Sequence, residues 1–326
     1  MTPTRIRDPR IYGEIRLYAG SASPELAAEI SDYLGVPLSG RDLLRFPNEN
    51  IFCRLHASAR GQDAYVIQST TSPVNDNLME LLIMLQTLRL DSVGRLTAVI
   101  PYLSYSRSDK KDQPRVPIAA RLVADMMEVA GADRYMTPDL HAGQIQGFFS
   151  IPGDVLTAFH ILSDHFQQRC EHMHNPVVVT ADLGYAKKGR NFAAKLGLPI
   201  AFIEKRRQQN DARAEAIGVI GDVHDRDVII VDDEVDTAGS VTEAHHIVKE
   251  RGARDVYLSF VHAILSDPAT ERLQKTDFKA IVTTNTVQIP ESKKLPNMTV
   301  LSIAPLLAEV ILRAHEGRSV GEMFNE

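Results

Sequence analysis

The sequence predicts an α/β fold built on parallel β-α-β units, and three observations carry that reading. Short β-branched runs alternate along the chain with helical stretches of about 10–15 residues. The 326 residues are 44% hydrophobic and 24% charged, enough for two globular domains at roughly 100–200 residues each. Segments 66–104 and 229–266 also repeat one outline of strand, polar loop, helix, Arg/Gly turn and strand, a hint of internal duplication.

Taken in order, Ile15 to Ala19 reads as a strand and Pro24 to Leu34 as a helix with Ser23 at its N-cap. Ala64 to Gln68 is a strand. Asp76 to Leu90 is a helix, because Leu78, Leu81, Leu82, Leu85 and Leu88 recur on one face. Leu96 to Ile100 has the β-branched character of a buried strand; Val116 to Ala130 is helical, Tyr135 to Pro138 a short strand and His160 to Gln168 a helix. The second half repeats the pattern. Strands are expected at Pro176 to Thr180, Ile200 to Glu204, Val228 to Val231, Val256 to Val261 and Ala280 to Thr284. Helices are expected at Ala186 to Lys195, Val241 to Arg251 and, last, Pro305 to His315, which can pack on either half. Turn residues between Gly147 and Leu156 mark the seam.

Charge and cysteine content exclude several classes of function. A net charge of −6 gives no bulk cationic field for nucleic acid or an anionic membrane, though a local basic pocket can hold phosphates. Cys53 and Cys170 are far apart and form no Cys-x-x-Cys, so neither a disulfide framework nor a zinc ribbon is expected. No apolar run reaches a membrane span and the first residues lack a signal-peptide core, so a soluble cytoplasmic protein is expected.

The chemistry concentrates in VIIVDDEVDTAGSVTEA, residues 228–244. An apolar strand runs into Asp232 and Asp233, then Asp236, Thr237, Ala238, Gly239 and Ser240, then a helix. At the C-terminal edge of a parallel sheet such a loop binds ligands. Gly239 lets the backbone turn closely, backbone amides converge on a phosphate at the helix N-terminus, and Thr237 and Ser240 add hydroxyl donors. Two adjacent carboxylates suit a sugar diol, directly or through a divalent cation. The plainer alternative makes these acids turn and capping residues.

This string resembles the pentose-phosphate motif shared by type I phosphoribosyltransferases and ribose-phosphate diphosphokinases, the phosphoribosyl diphosphate (PRPP) synthases. Segments 68–89, 95–107, 137–149 and 204–223 resemble the synthase family in its own order, so that the likeness runs from about Leu17 to Phe324. The resemblance implies two tandem type I phosphoribosyltransferase-like domains, each a mainly parallel sheet flanked by helices, with substrates in the cleft between them. The N-terminal domain would span 10–152, joined by the helical segment 305–326, and the C-terminal domain 153–304. It implies transfer of the diphosphoryl group of MgATP to the 1-hydroxyl of D-ribose 5-phosphate, giving PRPP and AMP for nucleotide biosynthesis. Two alternatives stand beside it: a catalytically weak regulatory paralogue, and a type I phosphoribosyltransferase.

Carried over residue by residue, Lys205 and Arg207 in EKRRQQND match the family's catalytic pair on a loop that closes over substrates. Their chemistry suits phosphoryl transfer, which is mostly positioning and charge stabilisation. Residues 232, 233 and 236–240 match the ribose 5-phosphate site. His141, with Asp139 beside it, matches a magnesium-associated histidine that would serve metal or ATP, and Asp182 matches an Asp of the diphosphate loop. Phe46 would stack on adenine with Asn48 and Asn50 as polar contacts, while Arg107 and Asp109 match a flexible loop reaching a neighbouring subunit's ATP site. Four positions depart from the commonest pattern. Asn48 and Asn50 stand for acidic residues, Ser108 for glutamine and Tyr185 for a second glycine. Mg²⁺ is thus the expected cofactor, ATP and ribose 5-phosphate the expected substrates, and a dimer-based homo-oligomer, up to a hexamer, the expected assembly.

Overall fold

A computed structural model describes residues 12–181, 184–207 and 214–324, with backbone alone for 205–207, 214–217 and 324. The chain divides into two compact units. One runs up to Leu156 and is completed by the chain from Ala304 onward; the other is Thr157–Ile303.

The first unit contains β1 (Ile15–Ala19), α1 (Pro24–Leu34), β2 (Arg41–Arg45), β3 (Ile51–Leu55), β4 (Asp63–Ile67), α2 (Val74–Leu90), β5 (Arg95–Val99), α3 (Ala119–Ala130), β6 (Arg134–Pro138) and β7 (Gly153–Leu156). Five strands form an all-parallel sheet in the order β1-β4-β5-β6-β7, while β2 and β3 make a separate antiparallel hairpin. Helices cover both faces, as parallel sheets require, so β4 is buried along its whole length. The leucine stripe of α2 is buried as its spacing predicts. Gly35 ends α1 in the left-handed region at φ 64°, where its N–H and that of Val36 reach back to the Asp32 and Ser31 carbonyls. Ser23 is not the side-chain cap that the sequence predicts. Its Oγ accepts from the Ser69 N–H at 3.0 Å and ties the start of α1 to the loop after β4.

The second unit contains α4 (Phe159–Cys170), β8 (Val177–Thr180), α5 (Ala186–Leu196), β9 (Ile200–Arg207), β10 (Ala214–Ile220), β11 (Val228–Val235), α6 (Gly239–Glu250), β12 (Val256–Ala263), α7 (Ala269–Lys275), β13 (Ala280–Thr284) and β14 (Met298–Leu301). The sheet order is β10-β9-β8-β11-β12-β13-β14, parallel except for β10 against β9. Three strands, β9, β11 and β12, outrun their expected ends. β11 continues through the acidic residues to Val235 because its backbone keeps pairing with β12 as far as Ala263. β9 continues to Arg207 because β10 folds back along it.

The last helix, α8 (Ala304–Glu316), packs against α1 and belongs to the first unit. A buried polar cluster fastens it. Asp63, fully buried at the start of β4, accepts from Arg95 Nε (2.8 Å) and Nη2 (2.5 Å) and from the Tyr65 hydroxyl (2.8 Å), and pairs with His315 Nδ1 of α8 (2.8 Å). Burial foremost, with the neighbouring Asp63 charge, pushes the Tyr65 phenol well above its ordinary pKa. Burial opposes the Arg95 charge, but the hydrogen bonds it donates to Asp63 and Tyr65, with the nearby negative charge, outweigh burial and keep the guanidinium firmly protonated.

In the second unit, His245 on α6 is buried against the Phe278 ring, with centroids 4.8 Å apart and Nε2 3.1 Å from the Asp277 carbonyl. A donating Nε2–H leaves Nδ1 bare, and among the described residues Nδ1 has no partner. Burial holds this imidazole below its ordinary pKa. The unfolded chain therefore takes up the proton first, so stability is full above the ordinary histidine range and falls as the pH drops through it. The free energy of urea unfolding is expected to fall between pH 7 and pH 5 because of this group. His245→Leu should flatten that part of the profile; an unchanged slope would show that the buried imidazole is not its source.

Candidate functional site

The second unit has a topological switch point. From β8 the chain crosses to β9 on one side, and from β11 it crosses to β12 on the other, although β8 and β11 are neighbours. The crevice beyond the C-terminal ends of two such strands is where α/β sheets bind ligands. β8 stops pairing with β11 at Thr180 and Val231, so the acidic end of β11 projects past its neighbour. Asp233 is 6% exposed and Glu234 5%, while Asp232 and Asp236 are half-buried. Because 232 and 233 are consecutive strand residues, their side chains leave opposite faces of the sheet. The Asp233 N–H closes back on Asp232 Oδ1 at 2.9 Å, and the Glu234 N–H on Asp233 Oδ1 at 3.0 Å.

The turn into α6 also differs from expectation in one respect. The left-handed residue is Ala238, at φ 61°, and not Gly239. A non-glycine residue there carries roughly 1–2 kcal/mol of strain, a cost that clusters at ligand-binding turns. Thr242 Oγ1 donates to the carbonyls of Ala238 (2.9 Å) and Gly239 (3.0 Å), bracing the first turn from within the helix. A Cβ on Gly239 would meet only Arg272 Nη1 at 3.4 Å and Thr237 Oγ1 at 3.8 Å. The protein itself therefore does not demand glycine at this position, whereas a ligand approaching the backbone would. Thr237 and Ser240 are exposed at the helix N-terminus, where unpaired amides and the helix dipole favour an anion.

Lys205 and Arg207 lie on β9, in the ribbon it forms with β10, where Lys205 pairs with Ala216 and Arg207 with Ala214. A strand carries both positions, not the loop that the sequence predicts. Asp182 lies outside the described residues. Tyr185 directly precedes α5, with the Lys188 ammonium 5.4 Å from its ring centre.

In the first unit the predicted nucleotide-side residues follow the C-terminal ends of adjacent strands. Arg107 and Asp109 come after β5, and His141 after β6. Asp109 is buried and accepts from Gln144 Nε2, which joins the loop after β5 to the loop carrying the exposed His141. Asp139 is buried at φ 44° and its N–H donates to the Leu156 carbonyl at 2.9 Å. Ser108 plays a structural part. Its Oγ accepts from the Ala119 N–H at 3.1 Å and its carbonyl from the Ala120 N–H at 3.1 Å, capping α3 from 11 residues upstream. Phe46, Asn48 and Asn50 sit at the exposed tip of the β2–β3 hairpin. Phe46 is 45% exposed, leans on Phe52 with ring centroids 5.8 Å apart, and closes the tip through its N–H to the Asn50 carbonyl at 2.8 Å. An aromatic ring half open to solvent is a platform on which a base can stack.

Among the described residues no group of three or more His, Cys, Asp or Glu side chains could hold a metal alone. Mg²⁺ does not need one, since it typically takes one or two carboxylates, waters and substrate phosphates. Within the second unit, the oxygen donors of Asp232 and Asp233 suit it. Two contributors escape sequence reading: the buried Glu234, and Arg272, whose Nη1 donates to the Thr237 carbonyl at 2.9 Å from 35 residues away. No local pattern signals the second.

Comparisons with known proteins agree across nearly the whole chain. Residues 15–131 match the family model for the N-terminal domain of ribose phosphate pyrophosphokinase, and residues 212–325 match the phosphoribosyl synthetase-associated domain. The ribose-phosphate pyrophosphokinase of Clostridium tetani is 45% identical over 95% of this chain and 97% of its own length. That of Bacillus subtilis is 41% identical over 96% and 99%. A crystal structure of phosphoribosylpyrophosphate synthetase from Mycobacterium smegmatis aligns with a TM-score of 0.89 at 41% identity, covering 93% of this chain and 99% of that one. Acidic strand end, left-handed turn and two-unit α/β architecture are thus accompanied by full-length similarity, and the chain belongs to the ribose-phosphate pyrophosphokinase family.

Proposed function

We propose that this enzyme transfers the diphosphoryl group of ATP to the anomeric hydroxyl of D-ribose 5-phosphate, producing PRPP and AMP. The observation that carries the reading is the β11–α6 junction: buried acids at a topological switch point lead straight into a strained turn at a helix N-terminus. In the reaction the sugar 1-hydroxyl attacks the β-phosphorus in line. The bond between the β-phosphorus and the oxygen linking it to the α-phosphate breaks, AMP leaves with that oxygen, and the hydroxyl proton passes to solvent.

Residues 236–240 hold the 5-phosphate through backbone amides and the Thr237 and Ser240 hydroxyls, and Asp232 and Asp233 address the pentose and its environment. Lys205 and Arg207 offset charge spreading over the transferred group, the kind of electrostatic assistance on which phosphoryl transfer depends. Phe46 stacks on adenine, with Asn48, Asn50, Arg107 and Asp109 as polar partners. His141 donates to the triphosphate or joins Asp182 at the metal. Mg²⁺, bound chiefly through phosphate oxygens and carboxylates, supplies charge neutralisation of the triphosphate. The family's homo-oligomeric assembly and a cytoplasmic setting complete the reading; no described helix is long and apolar enough to cross a membrane.

Purified protein is expected to release AMP from ATP only when ribose 5-phosphate and Mg²⁺ are both present, with PRPP detected in equal amount. Release of ADP, or AMP formation without the sugar, would overturn the proposal.

A further inference from the structure

Arg272 is exposed on α7, in a segment with no expected role, yet it reaches the pentose-phosphate turn. Its Nη1 donates to the Thr237 carbonyl at 2.9 Å. The connection leading into α7 makes a second tie to the same strand end, where the Leu265 N–H donates to the Val235 carbonyl at 3.0 Å. Two hydrogen bonds, one from α7 and one from the connection leading into it, therefore bracket Asp236, just before the left-handed Ala238.

A trans peptide is planar, and its C=O and N–H point in opposite directions. Holding the Thr237 oxygen toward Arg272 thus turns the Ala238 N–H the other way, away from α7. That N–H precedes the first turn of α6, whose own leading amides have no intrahelical acceptors. A peptide at a strained turn can relax by rotating as a unit, which would swing its N–H away and present a carbonyl oxygen to an incoming anion. The guanidinium bond resists that rotation.

We infer that Arg272 is a positioning residue for ribose 5-phosphate binding: it fixes the 237–238 peptide so that the Ala238 N–H faces the sugar's phosphate. The inference rests on the reading of residues 236–240 as the phosphate turn. Arg272 touches the turn's backbone rather than the reacting atoms, so its removal acts on sugar affinity and not on the chemical step. Lysine can still reach a carbonyl as a point donor but loses the planar fork, so it restores the effect only in part.

The test uses the full-length protein with Arg272→Ala and Arg272→Lys. Arg272→Ala is expected to raise KM for ribose 5-phosphate about tenfold, with kcat and KM for ATP changing less than about twofold, and Arg272→Lys to recover part of the loss. Calorimetric titration with ribose 5-phosphate in the absence of ATP should show the same weakening, and D-ribose, which lacks the phosphate, should not distinguish the variants. An unchanged KM for the sugar phosphate, or a joint fall in kcat and in affinity for both substrates, would overturn the positioning role. If wild-type protein binds ribose 5-phosphate yet releases no AMP, the proposed reaction fails while the calorimetric comparison still decides the role of Arg272.

Discussion

Replacing Lys205 by alanine is expected to lower kcat by about a thousandfold, with KM for either substrate moving less than about fivefold. The magnitude follows from the chemistry. Diphosphoryl transfer spreads negative charge over the moving group, and removing one well-placed cationic or hydrogen-bonding partner from such a site costs about 10²–10³ in rate, more where arginine-type assistance is lost. Backbone geometry adds a control. Lys205 and Arg207 are two apart on β9, so strand periodicity puts both positions on one face and Arg206 on the other. Arg207→Ala should therefore resemble Lys205→Ala, whereas Arg206→Ala should stay within about threefold of wild type. Steady-state assays of AMP release settle it. A Lys205→Ala enzyme keeping more than a tenth of wild-type kcat, or an Arg206→Ala enzyme as impaired as the other two, would refute the assignment.

The second large effect concerns stability. Asp63→Asn is expected to cost about 3–5 kcal/mol, because it leaves the Arg95 guanidinium, 11% exposed, without its buried counter-charge. For a unit of this size that corresponds to a drop of about 10 °C in thermal midpoint. The carboxylate serves three partners from two regions of the chain, the third being His315 on α8, so an amide of the same shape cannot replace it. His315→Ala should cost less, since the Asp63–Arg95 pair survives it. Thermal unfolding monitored by circular dichroism measures both; an Asp63→Asn midpoint within about 2 °C of wild type would show that the cluster contributes little.

Much of the architecture is legible in the sequence because it follows from periodicity. The α2 leucines and the β-branched runs each have one physical meaning, and the structure gives each that meaning. The parts that escape notice have weak local signals. The β2–β3 hairpin, RDLLRFPNENIFCRL, is half exposed and joined by a five-residue connection without a tight-turn dipeptide. β7 has four residues and α7 seven, too short for a period to emerge. The acidic tail of β11 reads as loop because its side chains are polar, but ladder pairing is made by the backbone and continues to Val235.

The candidate site is legible in a similar, uneven way. Strings such as DDEVDTAGS lead one to expect a phosphate turn, yet composition cannot tell which residue takes the left-handed conformation: glycine is the natural guess, and alanine takes it. Nor can it show that Ser108, met as a departure from the family pattern, caps α3, or that Arg272 reaches back to Thr237. Both are relations between residues distant in sequence, and only folding creates them.

The placement of α8 has a consequence for how the protein is made. The first unit draws α8 from beyond the second unit in sequence, whereas the second is continuous from Thr157 to Ile303. On a ribosome, synthesis begins the first unit earliest and completes it last. Until residues 304–316 have been made and have left the exit tunnel, the α1 surface and the Asp63 carboxylate await their α8 partners. Premature stops near residue 304 would thus injure the oldest portion of the nascent polypeptide while sparing the younger one.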